Sequence, residues 1–116
     1  NSVKYFDIKE FDCSQTGENQ MNEQFLEMLD VLRENCGFPF VITSGYRSIE
    51  HSIEQRKAKG GTHTQGIASD IKINDSKKRM IIVTEALRLG FTGIGIADTF
   101  IHVDIRETTP VMWTYA

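Results

Sequence analysis

The sequence predicts an α+β fold: one small domain with a central, mainly antiparallel sheet and helices packed against it. Two long segments carry apolar residues at three- and four-residue steps, which is the helical period. Several short runs are rich in β-branched residues, which suits strands. The last of these runs follow one another too closely for helical crossovers, so antiparallel pairing is favoured over a doubly wound sheet. The 116 residues fit one domain spanning 1–116, large enough to bury a core without metal or disulfide staples.

In chain order, residues 3–8 read as a short extended segment. Residues 19–36 read as a helix, because Met21, Phe25, Met28, Leu29 and Leu32 share a face and Gly37 supplies a stop. Pro39 introduces PFVITS, a strand. Ser48 to about Ala58 reads as a short helix ended by Gly60 and Gly61. IASDIKI (67–73) alternates as a strand, and Asp75 or Ser76 caps a helix that runs to Leu89 and stops at Gly90. A glycine-punctuated segment, FTGIGIA (91–97), precedes a strong strand, FIHVDI (100–105). The tail PVMWTYA is apolar enough to be expected on the core.

Composition excludes several classes of function. Hydrophobic residues at 40% and charged residues at 25% are ordinary for a soluble domain. The formal net charge of -3 gives no electrostatic reason to expect nucleic acid, whose phosphates need a basic surface. Arg56, Lys57 and Lys59 form only a small basic cluster, and KKR (77–79) is the polar start of a helix. No apolar run approaches the roughly 20 residues that span a bilayer. NSVKYFDIKEFDC lacks the apolar core of a signal peptide, so the expectation is either release from the cytoplasm or a leader already removed. A monomer is expected. Cys13 and Cys36 form no CxxC pair, and their residue types suit two small buried hydrophobes as well as a disulfide.

Three segments carry the chemistry: SGYRS (44–48), HTQGIASD (63–70) and FIHVDI (100–105). His63 and Asp70 are an odd number of positions apart, which on one strand would put them on opposite faces. Gly66 permits a turn between them, so His63 on a loop and Asp70 on a strand can reach one point. His102 would come from an adjacent antiparallel strand. Two imidazoles and one carboxylate leave a fourth tetrahedral position open, as a catalytic zinc requires. Asp104 lies two residues after His102 and so shares its face.

These motifs, in this order, resemble the M15 family of zinc D-Ala-D-Ala peptidases, over about 38–105. The resemblance implies a D-Ala-D-Ala peptidase- or hedgehog-like fold with one catalytic Zn2+ on His63, Asp70 and His102. It implies a peptidoglycan hydrolase acting on the stem peptides of the bacterial cell wall, as carboxypeptidase or endopeptidase, and the small size fits a phage endolysin domain. Arg47 falls on the arginine of the family's SGYR segment and would neutralise a substrate carboxylate or the oxyanion. Gly61 stands where many members have serine. Thr99 stands where many have the carboxylate that serves as general base, leaving Asp104 and, next, Asp98 as candidates. Asp104 has a second reading, as a carboxylate that orients a ligand histidine. A related zinc module without catalysis, as in hedgehog proteins, is the alternative function, and a domain without metal is a third.

Other residues have plainer readings. Tyr46 could bond substrate or pack, Gln65 could face substrate or shape its loop, and Ser44 reads as a turn residue rather than a nucleophile. His51 lies among Glu50 and Glu54 and reads as solvated; Trp113 reads as core or pocket wall.

Overall fold

The computed structural model describes residues 3–48 and 61–115. The expected helix after Ser48, with His51 and the Arg56–Lys59 cluster, falls outside the described residues.

Helix α1 spans Glu23–Cys36 and helix α2 spans Ser76–Leu89. Each begins where a side chain can satisfy the first backbone N–H groups. Asn22 accepts from the Phe25 N–H at 2.9 Å, and Asp75 accepts from Lys77 and Lys78 at 2.8 and 3.1 Å. Each ends at a glycine in the left-handed conformation, Gly37 and Gly90, which only glycine adopts cheaply. The first helix therefore starts later than its apolar period suggests. Met21 belongs to the approach, where its N–H bonds the Asn19 side chain.

Five strands form one sheet: β1 (Ile42–Ser44), β2 (Ala68–Lys72), β3 (Gly93–Ile96), β4 (Phe100–Asp104) and β5 (Val111–Thr114). Their spatial order is β1-β2-β4-β3-β5. All neighbours are antiparallel except β3 and β5, which are parallel. The fold is thus α+β with a mainly antiparallel sheet, as the closely spaced strands predict.

Alternation along the central strands separates two jobs. Ile71, Ile94, Ile101 and Val103 join Phe25, Leu29, Leu32, Ile82 and Ala86 of the helices in the hydrophobic core. The intervening residues, Asp70, His102 and Asp104, point to the other face and are buried there as well.

Residues 3–7 join no strand of the sheet; the Lys4 and Tyr5 N–H groups bond the Asp30 carboxylate on α1 at 3.0 and 2.8 Å, and a 3-10 turn follows at Ile8–Phe11. The backbone polar groups of this segment find their partners on a helix, so no sheet is needed. One expectation fails. The tail does not pack on the core. It forms β5 at the sheet edge, with Val111 and Met112 44% and 52% exposed, because the edge lies beyond the cover of the helices.

Candidate metal centre

One cross-strand row defines the site. Ser44 pairs with Asp70, Asp70 with His102, His102 with Gly95 and Gly95 with Trp113, so each of the five strands contributes one residue. The pairing of β1 shifts between Ile42 and Ser44, and this irregularity brings Ser44 opposite Asp70.

His63 reaches the row from a compact turn. The Gln65 N–H bonds the Gly61 carbonyl, and the Gly66 N–H bonds the His63 carbonyl. Gly66 has φ 75°, and a Cβ there would lie 2.2 Å from the Gln20 carbonyl oxygen. Its own carbonyl accepts from the Asn22 N–H at 2.8 Å, which ties the turn to the entrance of α1. On the other side, the Arg47 N–H bonds the His63 carbonyl. The turn is thereby anchored at both edges, and His63 is 6% exposed.

The hydrogen bonds fix how the two imidazoles face each other. His63 Nδ1 lies 2.8 Å from the Gly45 carbonyl oxygen, and His102 Nε2 lies 2.7 Å from Asp104 Oδ2. A carbonyl or carboxylate oxygen can only accept, and the outer contacts are shorter than those to Asp70, so in a neutral ring the outer nitrogen is the one that carries the proton. In the neutral rings, His63 Nε2 and His102 Nδ1 are then bare lone pairs. Both face Asp70 Oδ1, at 3.3 and 3.1 Å. Three electron-pair donors converge, all within 4.8 Å of one another and all buried. Such a convergence is unfavourable unless a cation or a proton sits among the donors. The donor set of two histidines and a carboxylate suits a transition metal such as zinc. The residues present therefore fit a metal ion.

Electrostatics point the same way. Without a metal, burial opposes the charge of Asp70, but the two imidazoles outweigh it when an inner nitrogen carries a proton and donates to Oδ1, and they hold the carboxyl at about 2. Burial also opposes charge on His102, and its bonds to Asp104 and Asp70 outweigh that and push its pKa up. Asp104 is fully buried yet held well below the carboxylate range by His102 and Arg106.

The remaining candidates are spread. Arg47 is partly buried at the rim of the row, with Nη2 donating to Ser44 Oγ at 3.1 Å. Tyr46 is buried next to the Cys13 loop; burial, with Glu18 and Cys13 nearby, raises its phenol, so its surroundings are on that loop. Gln65 is exposed and lines a groove on the far side of the turn. Asp98 is exposed in the β3–β4 turn, where its backbone carbonyl accepts from Arg79. Asp104 does lie on the His102 face, but its carboxylate sits on the Nε2 side of the ring, away from the converging lone pairs. Both of its oxygens are engaged by Arg106. That geometry matches what its second reading, as a carboxylate that orients His102, requires. Both cysteines are free, and neither belongs to the metal-fitting group.

Two features went unread in the sequence. Arg106 donates to Asp104 from Nε at 3.0 Å and from Nη2 at 2.7 Å. The alternation His102, Asp104, Arg106 was the available signal, since every second residue shares a face. The glycines of FTGIGIA are the other. A Cβ on Gly93 would lie 2.2 Å from the Asp104 carboxylate, and one on Gly95 would lie 2.7 Å from the Trp113 indole nitrogen. The glycine-punctuated segment is a strand whose missing side chains leave room for the site.

A family model described as Peptidase M15 matches residues 4–104. The chain belongs to the M15 peptidase family. No curated protein sequence matches it. Membership implies a metallopeptidase, and His63, Asp70 and His102 are the group through which this M15 chain could hold its ion. The matched region ends at Asp104, so Arg106 and Trp113 lie beyond it. Among the described residues no helix is long and apolar enough to cross a membrane.

Proposed function

We propose that the protein is a zinc peptidase that hydrolyses peptide bonds in the stem peptides of bacterial peptidoglycan. The observation that carries this reading is the convergence of His63 Nε2, Asp70 Oδ1 and His102 Nδ1, with an outer partner in place on each imidazole. Zinc held there would polarise a scissile carbonyl and bring the pKa of a water toward ~7.

The chain's own residues supply the rest. Gly45 and Asp104 hold the two imidazoles in the tautomers that leave the inner nitrogens free. Arg47, at the rim beside Ser44, suits the anionic end of a peptide or a developing oxyanion through its planar fork. Support for peptidoglycan as substrate is the run of SGYRS, HTQGIASD and FIHVDI, which resembles cell-wall members of the family. The cell wall is accordingly the proposed site of action.

One observation favours a second reading, a zinc module that no longer cleaves. Thr99 stands at the family's usual base position, Asp104 is committed to His102 and Arg106, and Asp98 is exposed in a turn. Among the described residues no other carboxylate than Asp70 joins the metal-fitting group.

Mass spectrometry of purified peptidoglycan, before and after exposure to zinc-loaded protein, separates the readings. New stem-peptide fragments, absent with the His63→Ala and His102→Ala variants, are the expected result. One zinc per chain with no fragment would establish the second reading. No zinc in the wild type after metal-replete purification would sink both.

A further inference from the structure

We propose that Arg106 is a positioning residue for the metal centre: acting through Asp104, it fixes the tautomer and orientation of His102. The inference rests on the zinc reading above and goes beyond it to a residue outside the matched family region.

The geometry is a buckle with three contacts. Arg106 grips the Asp104 carboxylate with Nε, Nη2 and its backbone N–H, at 3.0, 2.7 and 3.1 Å. Asp104 Oδ2 in turn receives His102 Nε2 at 2.7 Å. The guanidinium carbon lies 4.8 Å from the centre of the Trp113 ring, and that ring lies 5.1 Å from the His102 ring. Arg106, Asp104, His102 and Trp113 thus close a circuit on one side of the imidazole, while His102 Nδ1 on the other side faces Asp70.

Three physical points give the circuit its purpose. Asp104 is 0% exposed, and a buried carboxylate is retained only with strong partners; Arg106 supplies the forked one. A carboxylate free to rotate would no longer hold an acceptor oxygen against His102 Nε2. The ring could then place its hydrogen on Nδ1, pointing it into the donor cluster and blocking a metal. Finally, the sheet is carved for this arrangement. Gly93 leaves space for the Asp104 carboxylate and Gly95 for the Trp113 indole. Neither space is needed if Asp104 and Trp113 merely fill a surface.

The test is a zinc affinity cycle, measured by competition with a chromophoric chelator, on Arg106→Met, Arg106→Lys, Asp104→Asn and the double variant Asp104→Asn/Arg106→Met. Loss of a partner that orients a metal-binding histidine weakens affinity about 10- to 100-fold, and that range is expected for Asp104→Asn. Arg106→Met should weaken zinc by about tenfold, and Arg106→Lys, which keeps the charge but not the fork, by less. The decisive result is the double variant: in the Asp104→Asn background, Arg106→Met should change affinity less than about twofold, since the residue acts through Asp104. Multiplying losses would overturn the proposal, because an Arg106 that acts on zinc by a route other than Asp104 would be independent of it. Wild-type affinity in Arg106→Met would overturn it directly. If Arg106→Met fails to fold by circular dichroism, the Arg106→Lys pair with and without Asp104→Asn carries the same cycle. A wild type that binds no zinc fails the metal reading itself, a different outcome from intact wild-type binding that Arg106 does not influence.

Discussion

At the scale of single residues, the group proposed above to face substrate is Arg47, at the rim of the row. Its guanidinium reaches Ser44 rather than the lone pairs of the cluster, and a charged guanidinium has no electron pair to offer a metal. Arg47→Ala should keep one zinc per chain and lose about 100-fold or more in turnover, as removal of an oxyanion or carboxylate partner does. Elemental analysis beside a stem-peptide assay checks both halves, and an unchanged rate would reduce Arg47 to a rim contact. Ser69 offers a contrast on the opposite face of the same strand. Its hydroxyl is fully buried in the core with no hydrogen-bond partner. An unpaired buried hydroxyl costs free energy, so Ser69→Ala should leave stability unchanged or raise it by up to about 1 kcal/mol. A denaturant midpoint shifted downward by that amount would show that the hydroxyl has a partner after all.

At the scale of elements, the His63 turn is the least forgiving part of the site. Gly66 combines a positive φ with a backbone oxygen where a Cβ would stand. Gly17 has almost the same φ, 77°, with nothing within 4 Å. The pair isolates the two costs. Gly17→Ala should lose about 1–2 kcal/mol from the left-handed backbone alone. Gly66→Ala should lose clearly more, because the turn must also move away from Gln20, and it should weaken zinc as His63 moves with it. Thermal melts and zinc titrations of both variants check this; equal losses would mean that the contact with Gln20 relaxes freely. The strands show the same dependence on neighbours. β3 is almost without side chains on the site face, and that emptiness lets Asp104 and Trp113 occupy it.

At the scale of the whole molecule, the sheet keeps its two faces for two purposes. One closes the core against α1 and α2, and the other buries ionisable groups whose balance depends on pH. In metal-free protein, Asp70 is held at about 2 against an ordinary 3.8, so its contribution to stability is complete above about pH 4 and fades as pH falls toward 2. His102 is shifted the other way, above 6.5, so its contribution is complete below that value and fades as pH rises through the folded pKa. Chelator-treated protein should therefore melt highest between about pH 4 and 6.5 and lose ground on both sides. A melting temperature that climbs steadily from pH 6 to 8 would contradict the assigned partners of His102. Saturating zinc should raise the melt near neutral pH by mass action, about 2.7 kcal/mol at a hundredfold excess over Kd.

Much of this architecture is written locally, and the sequence by itself determined it. The helix periods, the cap at Asp75 and the stops at Gly37 and Gly90 depend on neighbours within a turn, whereas the start of α1 at Asn22 appeared only in the structure. The strands Ala68–Lys72 and Phe100–Asp104 lie within the two runs read as strands, and the three motifs in order, through the family they resemble, singled out His63, Asp70 and His102. What lay outside local chemistry was decided by tertiary structure. The parallel pairing of β5, the exposure of Val111 and Met112, and the capture of residues 4 and 5 by Asp30 depend on which distant element lies alongside. The same is true of Asp104. Alternation placed it on the face of His102, but the position of its carboxylate on the Nε2 side, and the grip of Arg106 on it, appeared only in the structure. Side-chain period fixes a face; the register of neighbouring strands and the hydrogen-bond partners found there fix what a group on that face can do.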